Sequence, residues 1–157
     1  MSAEEPFELV IVDELAALTA YVPDRKLRER IAGSLQLVLS QGRALGFCVL
    51  ACVQDPRKEV LPFRDLYPTR IALRVTEDAH TNLTLGDGAK ERGALCHLIR
   101  EDTPGVGYLR LDGVAEPARV RFGLITDADI AEMATRWPAP PLALPATTPM
   151  HIPDLPA

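Results

Sequence analysis

Apolar positions along the chain form short continuous runs in some places and helical spacings in others. The run FELVIV at residues 7–12 is short and rich in β-branched side chains, which predicts a buried strand rather than a helix. Asp24 then precedes apolar residues that recur every three or four positions. This pattern predicts a helix capped by Asp24 and ending between Gly42 and Gly46. Its apolar stripe consists of Leu27, Ile31, Leu35, Val38 and Leu39.

Two further apolar runs follow this helix. GFCVLACVQ at residues 46–54 and TRIALRV at residues 69–75 each predict a strand, and a proline-punctuated segment separates them. A short helix is expected from Glu77 to Leu85, closed by the GDG of residues 86–88. The order of strand, helix, strand, short helix and strand is typical of a parallel α/β sheet.

The remaining third of the chain has a different pattern. GVGYLRLDG and PARVRFGLI alternate apolar and polar residues, which predicts an antiparallel strand pair. TDADIAEMATRW predicts a last helix capped by Thr126 or Asp127. Seven of the fourteen prolines fall in residues 138–157, which predicts an extended or disordered tail after a domain at residues 1–137.

Composition narrows the class of protein. A chain of 157 residues with 47% apolar and 25% charged residues can fold as one soluble globular domain. Its apolar runs are shorter than the roughly 18 residues that suggest a membrane span, and MSAEEPFE lacks the layout of a signal peptide. We therefore expect a cytoplasmic protein, which would reach a membrane only through a further N-terminal region or a partner. The cysteines Cys48, Cys52 and Cys96 are expected to be buried free thiols.

The chain has a net charge of -5, and its charged residues are distributed unevenly along the sequence. Residues 21–74 carry ten Lys or Arg against five acids, whereas the segments on both sides are acidic. A basic middle segment can bind phosphate, and a solvated helix face is the alternative explanation.

Candidate chemistry lies at the ends of the first two predicted strands. Asp13 and Glu14 follow the first strand directly, and acids at strand ends often only solvate a loop. Arg43 precedes the second strand and Gln54 follows it. Two polar side chains that bracket a buried strand can serve one site at the carboxyl edge of the sheet, or two faces of an oligomer.

Five segments together resemble the motor domain of the FtsK/SpoIIIE family of hexameric DNA translocases. They are LVIVDELAAL, SQGRALGFCVLACVQDPRKEVLP, LYPTRIALRV, LGDGAKERGALC and GVGYLRLDG. In sequence, these segments are most similar to the translocases that actinomycete mobile elements use to transfer double-stranded DNA. The resemblance implies the carboxy-terminal half of a RecA-like P-loop NTPase fold, with a mostly parallel sheet flanked by helices and an antiparallel strand pair near the C-terminus.

The resemblance also assigns roles, with ATP and Mg²⁺ as cofactors. Asp13 matches the Walker B aspartate that holds Mg²⁺, and Glu14 matches the glutamate that orients the attacking water. Gln54 matches the sensor of the γ-phosphate, and Arg43 resembles the arginine finger that reaches a neighbouring subunit's nucleotide. The alternatives are a helix C-terminal cation for Arg43 and an ordinary strand-end residue for Gln54. Arg70 could pair with a carboxylate or with nucleotide.

A ring of identical or related motor subunits would enclose double-stranded DNA. Arg25, Lys26, Arg57 and Lys58 are the bases expected to contact its backbone, and solvated surface charge is the alternative role for all four.

One expected motif is missing from the sequence. A phosphate-cradling loop needs GxxxxGK[ST], and none of the ten glycines is followed by lysine. This predicts little or no ATP hydrolysis by the chain alone. Three accounts remain: a piece of a longer translocase, which is favoured; one subunit of a split ATPase whose P-loop lies on a separate polypeptide; or a non-catalytic relative that binds DNA or a motor partner.

Overall fold

A parallel strand pair forms the first part of the fold. The computed structural model describes residues 7–139, and the chain divides into two units, Met1–Phe122 and Gly123–Ala157. In the first unit, β1 (Glu8–Val12) pairs in parallel with β2 (Phe47–Ala51), in a register that runs from Glu8 opposite Phe47 to Val12 opposite Ala51. The two predicted strands and their parallel pairing are therefore confirmed, but their predicted burial is wrong, because most residues of β1 and β2 are exposed.

Two helices connect these strands. The short α1 (Ala16–Thr19) was not predicted as a helix, and α2 (Arg25–Gln41) is the predicted amphipathic helix. The Asp24 carboxylate accepts a hydrogen bond from the Leu27 backbone N–H at 3.1 Å, which confirms the predicted N-cap. After α2, a 3-10 turn ends at Gly46, whose φ of 83° lies in the left-handed region that glycine adopts without strain.

The other sheet of this unit is antiparallel. It contains β3 (Arg70–Ala72), β4 (Val106–Arg110) and β5 (Ala118–Arg121) in that order. The predicted antiparallel pair is confirmed as β4 and β5. The expectation that TRIALRV continues the parallel sheet is wrong, because β3 pairs antiparallel with β4. A strand of three residues has too short a pattern to specify which strand it pairs with. In the structure, the buried strand β4 is that partner.

A core of mostly small side chains holds this second sheet against α3 (Asp78–Leu85), the helix predicted there. At the C-terminal end of α3, Arg110 donates a hydrogen bond from Nη1 to the Leu85 carbonyl at 2.8 Å. The core residues are Ala72, Leu85, Ala89, Ala94, Cys96, Ile99, Val106 and Tyr108.

The parallel sheet, by contrast, leaves its apolar side chains exposed. Ile11 is 64% exposed and Leu50 is 49% exposed, and α2 contains no fully buried residue. Burial was correctly predicted for Cys96, but the prediction is wrong for Cys48 and Cys52, which are exposed. Two strands and one helix provide too few neighbours to cover both faces of a sheet.

The second unit contains α4 (Asp127–Arg136), as predicted. Thr126 is its N-cap rather than Asp127, because the Thr126 hydroxyl accepts from the Asp129 backbone N–H while the Asp129 carboxylate accepts from the Thr126 N–H. In the predicted proline-rich tail, residues 140–157 lie outside the described residues. Within residues 7–139, no helix is long and apolar enough to cross a membrane.

Candidate nucleotide site and nucleic-acid interface

The parallel register brings three predicted site residues to one edge of the sheet. Val12 and Ala51 are partners at the carboxyl ends of β1 and β2, so Asp13, Glu14 and Gln54 all follow the strands at this edge. Two backbone hydrogen bonds continue the pairing beyond the strands, from Cys52 N–H to the Val12 carbonyl at 2.8 Å and from Leu15 N–H to the Cys52 carbonyl at 2.9 Å.

The three side chains differ in their present contacts. Asp13 and Gln54 are exposed, and neither side chain makes a hydrogen bond or ion pair within the part of the chain that is described. Glu14 is half-buried, and its Oε1 accepts a hydrogen bond from the Ala16 backbone N–H at 3.0 Å. Its carboxylate thus satisfies a free N–H group at the beginning of α1.

The donor set at this edge fits Mg²⁺ in one particular way. Mg²⁺ in nucleotide sites takes one or two carboxylates, with phosphate oxygens and water as its other ligands. The exposed Asp13 carboxylate supplies such a ligand. No group of three or more acidic, His or Cys side chains able to hold a metal occurs in residues 7–139. A single exposed carboxylate fits a Mg²⁺ ion that takes its other ligands from phosphate and water.

Arg43 lies at the opposite end of β2. It belongs to the 3-10 turn Gly42–Leu45 that precedes the strand, and it is exposed. The five residues of β2 span roughly 13 Å at about 3.3 Å per residue. Arg43 and Gln54 of one chain are thus held apart, so the structure does not bring these two residues together at one site. Arg43 also follows the C-terminus of α2, so an interaction with the helix dipole remains its alternative role.

A small buried cluster supports the carboxyl edge. Leu15 is 1% exposed and Ala16 is 1% exposed, and both follow β1 directly after Asp13 and Glu14. Thr19 and Val60 are also buried, and the Thr19 hydroxyl lies 2.5 Å from the Val60 carbonyl oxygen. The sequence did not predict this cluster, because α1 is only one turn long and has too short a pattern to recognise. The apolar pair Leu15 and Ala16 was its only local signal.

The four predicted DNA-contacting bases lie on two exposed segments. Arg25 and Lys26 begin α2, whereas Arg57 and Lys58 lie in the turn after Gln54. Arg25 pairs with Glu29 at 2.7 Å, whereas Lys26 and Lys58 form no ion pair within residues 7–139.

Arg57 is engaged by a neighbouring acid. Its Nε donates to Oδ1 of Asp55 at 2.9 Å and to Oδ2 at 2.7 Å. The hydrogen bond from Arg57 holds the pKa of the Asp55 carboxyl below its usual range, and the same bond raises the pKa of Arg57. Exposed ion pairs contribute little free energy, so a phosphate can displace the Asp55 carboxylate from this guanidinium.

The connection between α1 and α2 is tied to the first turn of α2. Arg28 donates a hydrogen bond from Nη1 to the Val22 carbonyl at 3.0 Å. Arg28 was not predicted as part of this surface. The sequence showed only that Arg28 belongs to a basic run.

Arg70 contacts a backbone carbonyl and a carboxylate. It donates from Nε to the Tyr67 carbonyl at 2.8 Å, and its Nη2 lies 3.1 Å from Asp65 Oδ1. Pairing with a nucleotide stays an open prediction for this residue. Arg110 stands directly opposite on β4, and the guanidinium groups of both residues approach Gly86.

Comparisons with known proteins show the fold. No protein-family model and no curated protein matches the chain. Solved structures do match, and two of them are described here. The pCW3 conjugation coupling protein TcpA, solved as a monomer with ATPγS, matches with a TM-score of 0.64 and 22% identity over 87% of this chain. The cytoplasmic domain of the type VII secretion ATPase EccC from Thermomonospora curvata matches with a TM-score of 0.57 and 20% identity over 74% of this chain.

These likenesses confirm the predicted fold class. The predicted resemblance to a partial FtsK-type motor is confirmed at the level of the fold. The chain corresponds to only part of each neighbour, covering 39% of the TcpA chain and 12% of the EccC chain.

Proposed function

We propose that this chain supplies the carboxy-terminal half of the nucleotide site of an ATP-driven translocase for double-stranded DNA. The observation that carries the proposal is the common position of Asp13, Glu14 and Gln54 at one carboxyl edge of a parallel sheet. Open parallel sheets bind ligands at this edge. The TcpA neighbour, a conjugation coupling protein with bound ATPγS, supports a role in DNA transfer.

Each residue has a distinct role in the proposed reaction. Asp13 offers its exposed carboxylate to a nucleotide-bound Mg²⁺ through water, and the ion supplies positive charge against the phosphates. Glu14 gives up its hydrogen bond from the Ala16 N–H and accepts one from the attacking water instead. This hydrogen bond orients the water. The Gln54 amide contacts the γ-phosphate. Arg43, at the far end of β2, reaches the nucleotide of a neighbouring subunit.

A P-loop segment must complete this half-site. It belongs either to the same longer chain or to a separate polypeptide. The exposed apolar side chains of β1 and β2 support this requirement, because Leu9, Ile11 and Leu50 would be buried by further strands and helices. Without that segment, we propose that the chain hydrolyses no ATP.

The test is reconstitution of ATP hydrolysis. The region upstream of the coding sequence is searched in all frames for a strand followed by GxxxxGK[ST], and the encoded polypeptide is fused to, or mixed with, this chain. We expect turnover only when both parts are present. Glu14→Gln and Arg43→Ala should then each lower kcat at least 100-fold, on the scale of losing a charge-stabilising group. Arg74→Ala, which removes an exposed arginine paired with Glu101, is the matched control. Turnover by the chain alone would contradict the proposal.

DNA binding is tested separately by fluorescence anisotropy with a labelled duplex. Replacing Lys26 and Lys58 by alanine should weaken binding of any duplex sequence and lower the salt slope by about 1 per residue, since these lysines would contact phosphates. Arg100→Ala removes one positive charge, as each single lysine substitution does, from a residue paired with Asp102, and it serves as the control for each single variant.

A non-catalytic binding module is the second candidate function. The missing GxxxxGK[ST] motif favours it. It predicts DNA or protein binding that survives both Glu14→Gln and Arg43→Ala, with no turnover under any reconstitution.

A further inference from the structure

Thr19 joins two segments that are distant in sequence. Its hydroxyl is 3.1 Å from the carbonyl of Leu15, the residue before α1, and 2.5 Å from the Val60 carbonyl, 41 residues later. A threonine hydroxyl carries a single hydrogen, so it donates fully to only one of these oxygens at a time. The closer acceptor is the Val60 carbonyl, and both Thr19 and Val60 are buried.

At one end of this link lies the proposed catalytic carboxylate. The Glu14 carboxylate accepts from the Ala16 N–H, and Thr19 is three residues further along α1. Leu15 and Ala16 between them are almost completely buried, so α1 is fixed to the carboxyl edge of the sheet. A displacement of Glu14 toward a bound nucleotide therefore acts on the same short helix that carries Thr19.

At the other end lies the proposed DNA-contacting turn. The backbone N–H groups of Val60 and Leu61 both donate to the Arg57 carbonyl, at 3.0 Å and 2.9 Å. This tight turn contains Arg57 and Lys58. Holding the Val60 carbonyl therefore also holds the backbone that presents these two basic side chains.

We propose that Thr19 is a positioning residue that couples the Asp13–Glu14 end of β1 to the Arg57–Lys58 turn. This inference rests on the proposed function for the roles of the two segments in catalysis and DNA contact. The hydrogen bond that joins them belongs to the fold itself. A valine at position 19 would fill the same volume. The hydroxyl is needed for the bond across 41 residues, and not for packing.

The link is tested by hydrogen–deuterium exchange of the full chain carrying Thr19→Val or Thr19→Ser. In Thr19→Val, amides of residues 57–61 should exchange roughly five-fold faster, as expected for losing one hydrogen bond. Amides of β4 should be unchanged, and Thr19→Ser, which keeps the donor, should restore the wild-type rates. Unchanged exchange at residues 57–61 would overturn the link, as would a rise throughout the chain or equal behaviour of the two variants.

Duplex binding distinguishes this inference from the proposed function. Neither variant alters charge, so Thr19→Val should weaken duplex binding several-fold with an unchanged salt slope, and Thr19→Ser should bind like the wild type. If Thr19→Val binds duplex as tightly as the wild type, the coupling is wrong. If the wild type binds no duplex, the proposed DNA role fails, and the exchange experiment still decides whether Thr19 positions the turn.

Discussion

Gly86 shows how a single residue can be required by two independent constraints. Its φ of 97° lies in the region that side chains with a Cβ rarely adopt, and a Cβ would stand 2.3 Å from Arg110 Nη1. Arg110 in turn donates to the Leu85 carbonyl at the end of α3. The glycine thus lets an arginine bind the end of a helix directly.

We predict that Gly86→Ala lowers the free energy of unfolding more than Gly93→Ala does. Gly93 has a φ of 95° and no atom within 4 Å of an added Cβ, so its replacement measures backbone strain alone. That strain costs about 1–3 kcal/mol, and Gly86→Ala adds the displacement of Arg110. Urea denaturation of both variants makes the comparison. Equal losses would show that Arg110 moves away at no cost.

At the scale of elements, the exposure of β2 predicts the reactivity of the cysteines. Cys48 and Cys52 are exposed on or just after β2, whereas Cys96 is buried and its pKa is raised by that burial. Two thiols should therefore react with a thiol reagent such as DTNB in the native protein, and the third only in denaturant, because the thiolate is the reactive form. Three fast thiols in the native state would contradict the burial of Cys96.

The helix α4 is expected to be sensitive to acid. The hydrogen bond from the Thr126 side chain, followed by that from its backbone, lowers the pKa of Asp129. Because the folded pKa lies below the unfolded value near 3.9, the stabilisation is present above that value and is lost as pH falls through the folded pKa. Exchange protection of α4 amides should decrease below about pH 4 in the wild type. In Asp129→Asn, which cannot ionise, that decrease should be smaller.

At the scale of the whole molecule, the two sheets of the first unit should respond very differently to substitution. Leu85 is fully buried, so Leu85→Ala should cost about 2–5 kcal/mol. Ile11 is 64% exposed, so Ile11→Thr, which keeps the β-branch, should cost less than about 1 kcal/mol. Denaturant titration of the chain alone tests this contrast. An equal loss for both would mean that β1 is covered in solution.

The same contrast links stability to the proposed function. If a P-loop segment covers the parallel sheet, Ile11→Thr should become more costly in the reconstituted protein, whereas the effect of Leu85→Ala should stay the same. If the loss of unfolding free energy caused by Ile11→Thr stays equally small after reconstitution, the partner covers a different surface.

The sequence by itself determined the elements whose signals are local. The spacing of apolar residues and the composition of each segment predicted β1, α2 and β2. The side chain of Asp24 predicted the cap of α2, and the acids after β1 marked a candidate site. These features depend on neighbours within about four residues, so a single sequence contains them.

Only the tertiary structure decided which distant segments meet. It paired β3 with β4, left Cys48 and Cys52 exposed, separated Arg43 from Gln54, and joined Thr19 to Val60. Each of these results depends on register and on burial between segments far apart in the chain. The local pattern of apolar and polar residues specifies neither, because any strand of suitable period and any buried carbonyl could have served as the partner.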